Sequence, residues 1–140
     1  MSASRRQRGF TLLEIMIVVA VVAMLTAIAL PSYRAYLARS RVPEAFDMLS
    51  SYASRMEQTY QDVGNYGTAT CTPTLPTGTN FTVACAIANG GQTYVATATG
   101  TGTMSGYVYT LNNTGARVTT SHPNGANATC WTIRGSVCNS

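Results

Sequence analysis

Lysine is absent from this 140-residue chain, and no aspartate or glutamate follows Asp62. From Val63 to Ser140 the charged set shrinks to Arg117, Arg134 and the single histidine, His122. These shortages exclude whole classes of chemistry. A glycosidase needs two carboxylates, and a nucleophilic triad needs an acidic orienter; neither can be built after Asp62. A hard cation there would find only carbonyl and amide oxygens. Gly100-Thr101-Gly102 lacks the lysine of a phosphate-cradling loop. His122 sits in the turn-like run Ser121-His122-Pro123-Asn124-Gly125, which places it on an exposed loop, not in a metal or general-base site. No enzyme, metal site or cofactor is expected.

Cysteine is scarce but patterned. Cys71, Cys85, Cys130 and Cys138 all lie in the second half of the chain. No C-x₂-C spacing accompanies the lone histidine, so zinc is a poor reading. An even number of cysteines beyond an apolar segment fits disulfides formed in an oxidising compartment. Three connectivities exist, and the pairing that closes short local loops, Cys71–Cys85 with Cys130–Cys138, is favoured.

What the chain does have is one long apolar run. Phe10 to Leu30 spans 21 residues with Glu14 as the only charge. As a helix it would be about 32 Å long, enough to cross the hydrocarbon core of a bilayer. Arg5, Arg6 and Arg8 precede it, so the positive-inside rule keeps the N-terminus cytoplasmic and exports the residues after Leu30. The formal charge of +4 comes largely from these three arginines; after Gly9, six arginines face five acids. A carboxylate inside such a run costs roughly 2.5–3.5 kcal/mol at bilayer depth. Glu14 therefore needs a partner or a route to the membrane surface.

Arg8-Gly9-Phe10-Thr11-Leu12-Leu13-Glu14 resembles the processing motif of type IV prepilins, with a short, class A-like leader, and of the related pseudopilins. The resemblance implies cleavage by a prepilin peptidase between Gly9 and Phe10, N-methylation of Phe10, and a role for Glu14 in filament assembly. It also implies that Pro31 bends the helix. The chemistry of Glu14 agrees: the amine freed at Phe10, one helical turn away or on a neighbouring subunit, is the cation that its carboxylate lacks.

The expected organisation is a leader at 1–9, a transmembrane or filament-core helix at 10–30, an amphipathic helix at 31–62, and an exported region at 63–140. Val42, Phe46, Leu49, Ala53, Met56, Tyr60 and Val63 step by threes and fours and define the predicted apolar face. Pro43 is a second possible bend, and Gly64-Asn65-Tyr66-Gly67 ends the helix. Alternating segments at 81–87, 94–99, 107–111 and 130–133, with a weaker one at 116–120, read as strands, and Asn89-Gly90-Gly91 and Asn113-Thr114-Gly115 as hairpin turns. The fold class is α+β, a long N-terminal helix on an antiparallel sheet.

The function this implies is a structural subunit of a type IV pilus, serving adhesion, twitching motility or DNA uptake. Its partners would be copies of itself in a helical filament, other pilins, the prepilin peptidase and an inner-membrane assembly platform. It would lie in the inner membrane as a precursor and then in the extracellular filament. Two alternatives stay open. One is a pseudopilin of type II secretion, whose major members use acidic residues near the C-terminus to hold calcium; this chain has none there. The other is a minor pilin that binds DNA, with Arg117 and Arg134 as weak contacts beside Tyr94, Tyr107 and Trp131. Two cations are few for a polyanion, and the aromatics read more simply as core.

Processing is directly testable. Gly9→Val should leave the arginine-rich leader attached. Mass spectrometry of the wild-type mature chain should show a start at Phe10 carrying one added methyl group. A start after Leu30 would identify an ordinary secreted protein.

Overall fold

A hydroxyl opens the helical part of the chain. Thr11 Oγ1 accepts the N–H of Glu14 at 3.2 Å, the N-cap bond for which the Thr-x-x-Glu spacing is suited. Helix α1 then runs from Leu12 to Val63 and is continuous through Pro31 and Pro43. The computed structural model describes residues 9–135, 137 and 138; Arg5, Arg6 and Arg8 lie outside them. The chain divides into two units, Met1–Tyr36 and Leu37–Ser140.

In the first unit the apolar side chains have no internal partner. The most apolar stretch of α1 is wholly unburied, with Leu12 79% and Ile28 78% exposed. Such a surface needs lipid or other helices to cover it. Its one interior hydroxyl, Thr26 Oγ1, bonds back to the carbonyls of Val22 and Ala23 at 2.9 and 3.0 Å. That internal bond is what makes threonine tolerable in hydrocarbon.

The second unit holds the core. Val42, Ala45, Leu49, Tyr52 and Met56 recur at three and four and are fully buried. The predicted face is thus rotated: Phe46, Ala53 and Tyr60 lie half-buried on its flank, and Val63 is exposed. Gly64, at φ +80°, terminates α1 and donates its N–H to the Tyr60 carbonyl at 2.8 Å.

Four strands form an antiparallel sheet in sequence order: β1 (Phe81–Ala88), β2 (Thr93–Gly100), β3 (Val108–Asn112) and β4 (Arg117–Ser121). Their alternation separates the faces. Phe81, Val83, Tyr94, Ala96, Ala98, Tyr109 and Leu111 are buried, while Thr82, Ala84, Val95 and Thr99 are exposed on the outer face. Ala98, on the buried side of β2, lies opposite Tyr109 of β3 and leaves room for its ring.

Residues 130–133 do not form the predicted strand. The segment docks through side chains instead of a backbone ladder. Thr119 Oγ1, on β4, donates to the Cys130 carbonyl at 2.9 Å and accepts the Thr132 N–H at 3.0 Å. Tyr109 donates its hydroxyl to the Thr132 carbonyl at 3.0 Å, and Trp131 Nε1 donates to the Thr110 carbonyl at 2.8 Å. Cys130, Trp131 and Thr132 are buried in succession, and among the described residues the segment's backbone pairing is a single isolated bridge between Thr132 and Cys138. The structure joins Cys71 to Cys85 and Cys130 to Cys138, with Cα atoms 6.1 and 5.6 Å apart.

His122 also departs from expectation. It is 8% exposed, with its ring edge against Tyr107 at a centroid distance of 4.8 Å. Nδ1 accepts the Asn124 N–H at 3.0 Å, so Nε2 carries the proton toward the Ile133 carbonyl at 3.2 Å. The turn predicted from Pro123 and Gly125 is present, but it folds the imidazole inward. Burial lowers the pKa of His122, against a smaller opposing effect of the Ile133 hydrogen bond.

On the opposite flank, Glu44 clasps the loop before β1. One carboxylate oxygen accepts the N–H groups of Thr79 and Asn80 at 2.6 and 3.0 Å, and the other accepts the Asn80 amide at 2.6 Å. A Cβ at Gly78 would come within 2.6 Å of both Glu44 Oε1 and Met48 Sδ, so a larger residue there would push the ends of these two side chains aside. Burial would raise the Glu44 pKa, but the Asn80 and Thr79 hydrogen bonds and nearby Arg41 bring it below the usual carboxylate value.

Two measurements check this packing. Leu49→Ala should destabilise the second unit by about 2–5 kcal/mol, read as a lower urea midpoint of Trp131 fluorescence. The pH dependence has a definite sign. A histidine pKa depressed on folding contributes stability that is complete above its ordinary value of 6.5 and lost as pH falls. Stability should therefore drop as pH falls through and below 6.5, and less steeply in His122→Gln. The Glu44 contribution has the same sign but belongs to the acid range below 4.5.

Candidate assembly segment and nucleic-acid face

Gly9 and Phe10 precede α1, and Phe10 is 77% exposed. Glu14 lies in the first turn of the helix, its carboxylate among exposed apolar side chains such as Leu13, Ile15 and Ile17. Two fields act on it. The helix N-terminus favours a negative charge, and the apolar surroundings disfavour one without a cation. The side chain of Thr11 takes the Glu14 N–H and leaves the carboxylate free for another partner. Thr11 was not among the residues expected from sequence to matter, although the Thr-x-x-Glu spacing carries the cap signal.

The nucleic-acid candidates take different settings in the fold. Arg117 begins β4 and places its guanidinium 4.8 Å from the ring centroid of Trp131. Trp131 in turn stacks on Phe46 at 4.8 Å, and Phe46 meets Tyr109 edge-on at 5.0 Å. The cation is exposed while the aromatic beneath it is 2% exposed. Arg117 therefore offers a restrained guanidinium, and Trp131 offers no open face for a base. Arg134 is exposed, and its carbonyl accepts the Asn124 amide at 3.3 Å. Tyr94 is buried, with its pKa raised by burial and by nearby Glu57; Tyr107 is half-buried against His122. The stacking group of Tyr94, Tyr107 and Trp131 is not assembled.

Next to Arg117 lies a hollow of about 460 Å³ between α1 and the turn joining β3 to β4. Ser54 and Glu57 line one wall, Asn113 and Arg117 the other, and Tyr94 the floor. The turn is fixed by Asn112, whose Oδ1 accepts the Thr114 N–H, the Thr114 hydroxyl and the Ala116 N–H at 3.1, 2.8 and 2.8 Å.

Two of the carboxylates on this unit are already engaged. Glu44 holds the loop before β1, and Glu57 accepts the Tyr66 hydroxyl at 2.9 Å. Burial first, then that hydrogen bond and the Glu57 charge, push the Tyr66 pKa up to about 12, so it stays a donor. The sheet side, in contrast, carries no acid at all. A polyanion approaching it meets hydroxyls, amides and arginines, with Glu57 as the like charge across the hollow from Arg117.

The chain matches two family models. One, the prokaryotic N-terminal methylation motif, covers residues 4–30; the other, type IV minor pilin ComP, DNA uptake sequence receptor, covers residues 31–133. The fimbrial protein EcpC of Eikenella corrodens is 47% identical over 58 residues, 41% of this chain and 38% of that protein. A fimbrial protein of Moraxella nonliquefaciens is 57% identical over 42 residues, 30% of this chain and 27% of that protein. The type IV major pilin protein PilE1 of Neisseria gonorrhoeae is 43% identical over 60 residues, 43% of this chain and 36% of that protein. The chain thus spans less than two-fifths of the length of these relatives. A type IV pilin from Shewanella oneidensis shares the fold, with a TM-score of 0.53 and 18% identity over 68% of this chain and 98% of that one. An unburied apolar helix, a capped glutamate in its first turn, a helix-on-sheet unit and a family match across residues 31–133 converge: the chain belongs to the type IV minor pilin ComP family.

Proposed function

We propose that this chain is a minor subunit of the type IV pilus that binds DNA at its globular unit. The observation that carries the reading is the family match over residues 31–133, which falls on the globular region and not on the shared N-terminal segment. An acid-free sheet side with exposed Arg117 and Arg134 supports it. In this reading the precursor lies in the inner membrane, with its N-terminus cytoplasmic and its sheet outside. The prepilin peptidase cuts between Gly9 and Phe10, and Phe10 is methylated. The assembly platform moves the chain into a filament of its own copies and other pilins, where helix contacts replace lipid contacts. Pro31 supplies a bend. A pilin-family match favours this over a type II secretion pseudopilin.

Assembly and insertion should part at Glu14. Glu14→Ala makes the segment more apolar and keeps the Thr11 cap, which uses the backbone, so membrane levels should hold. In the filament the Phe10 amine would lose its counter-charge. Breaking a buried pair costs roughly 3–5 kcal/mol, about two to four powers of ten in association. Glu14→Ala should therefore be present in membranes and missing from sheared pili, and Glu14→Gln should match it. Normal incorporation would overturn the charge-pair mechanism.

DNA binding should show a shallow salt dependence. Two phosphate contacts give a slope of log K against log salt of about −2, and Arg117→Ala or Arg134→Ala should each reduce its size by about 1. Salt-varied gel shifts with the globular unit measure this. Binding that ignores both substitutions would move the contact elsewhere; absence of binding would leave a purely structural subunit.

A further inference from the structure

We propose that Tyr33, Arg34 and Tyr36 form an interfacial belt that contacts phospholipid headgroups on the exported side of the membrane and sets the depth of the span. The inference rests on the reading of the precursor as membrane-anchored. All three side chains stand on α1 within the first unit and are exposed, Tyr33 by 61% and Tyr36 by 67%. At 100° per residue they occupy an arc of about 160° on the helix. They come directly after the apolar run, beyond Pro31 and Ser32.

Their chemistry fits that boundary. A phenol keeps its ring among acyl chains and its hydroxyl among glycerol and phosphate groups, which is why tyrosine collects at membrane surfaces. Arg34 can extend its stem along the same surface and form a forked pair of hydrogen bonds to a lipid phosphate. No carboxylate lies between Glu14 and Glu44 to compete for it. Spacing agrees as well. Residues 11 to 32 as a helix span about 33 Å, close to the roughly 30 Å of a hydrocarbon core. With Tyr33 at the outer boundary, Gly9 and Phe10 reach the cytoplasmic boundary, and Glu14 lies about one turn inside it. The belt and the leader then hold the two ends of one span, and removal of the leader leaves the belt as the remaining depth marker.

Depth-resolved fluorescence quenching tests this on the full chain in vesicles of mixed phosphatidylcholine and phosphatidylglycerol. Two tryptophan probes are placed separately, Tyr33→Trp at the belt and Ile17→Trp within the span. Trp131, buried in the globular unit, supplies the background from the unsubstituted chain. Lipids brominated near the glycerol should quench the residue-33 probe more than lipids brominated near the chain ends, and the order should reverse for the residue-17 probe. Arg34→Gln should lose about five-fold of the preference for phosphatidylglycerol vesicles over pure phosphatidylcholine ones, the share of one surface cation. If the inner probe is quenched and the belt probe is untouched, or equally deep, the belt is wrong and the anchored precursor stands. If neither probe is quenched, the anchored reading fails and takes the belt with it. An unchanged lipid preference in Arg34→Gln removes the phosphate contact.

Discussion

The fold depends on one contact, the face of α1 formed by Val42, Ala45, Leu49, Tyr52 and Met56 against the inner side of the sheet. Neither surface can stand alone in water. A four-stranded sheet with one apolar face needs a cover, and an amphipathic helix gains most of its stability from packing. The other devices hold this contact in place. Glu44 fixes the loop that leads into β1, Tyr66 ties the end of α1 to Glu57, and Thr119 fastens the last segment onto β4.

The first half of α1 obeys a different requirement. Its surface is apolar and no part of it is buried within the protein, so its environment must come from outside. Lipid and a bundle of like helices are interchangeable in this respect, which is why a pilin can leave one for the other at little hydrophobic cost. Glu14 is the exception in that surface, because a carboxylate is comfortable in neither environment without a cation. In the proposed assembly, the feature that is awkward for a membrane segment is what would specify a neighbour.

On the globular side, polarity comes from threonine and asparagine instead of charge. These groups satisfy the backbone at turns, as Asn112 does for Thr114 and Ala116, and they stand in for missing ladder bonds, as Thr119 does for Cys130 and Thr132. The outcome is a surface that is wet but nearly neutral, on which Arg117 and Arg134 carry the positive charge. In the proposed DNA complex, such a surface would give little long-range steering and leave the affinity to short-range contacts.

The sequence alone determined the apolar run, the position of Glu14, the end of α1 at Gly64, the order of four of the elements and the α+β class. These are local matters: periodicity, glycine chemistry and the cost of a charge in hydrocarbon act over a few residues. The tertiary structure decided what depends on distant partners. It rotated the buried face of α1 toward Ala45 and Tyr52, which share one core cluster with the inner side chains of the sheet. It turned residues 130–133 from an expected strand into a side-chain-docked segment, since an alternating sequence pattern does not specify backbone pairing. It drew His122 inward because Asn124 and Ile133 satisfy both ring nitrogens, and it put Trp131 under Arg117 rather than beside it. A histidine next to proline reads as exposed from its neighbours in sequence; only its neighbours in space show that both nitrogens have partners and that burial costs it little.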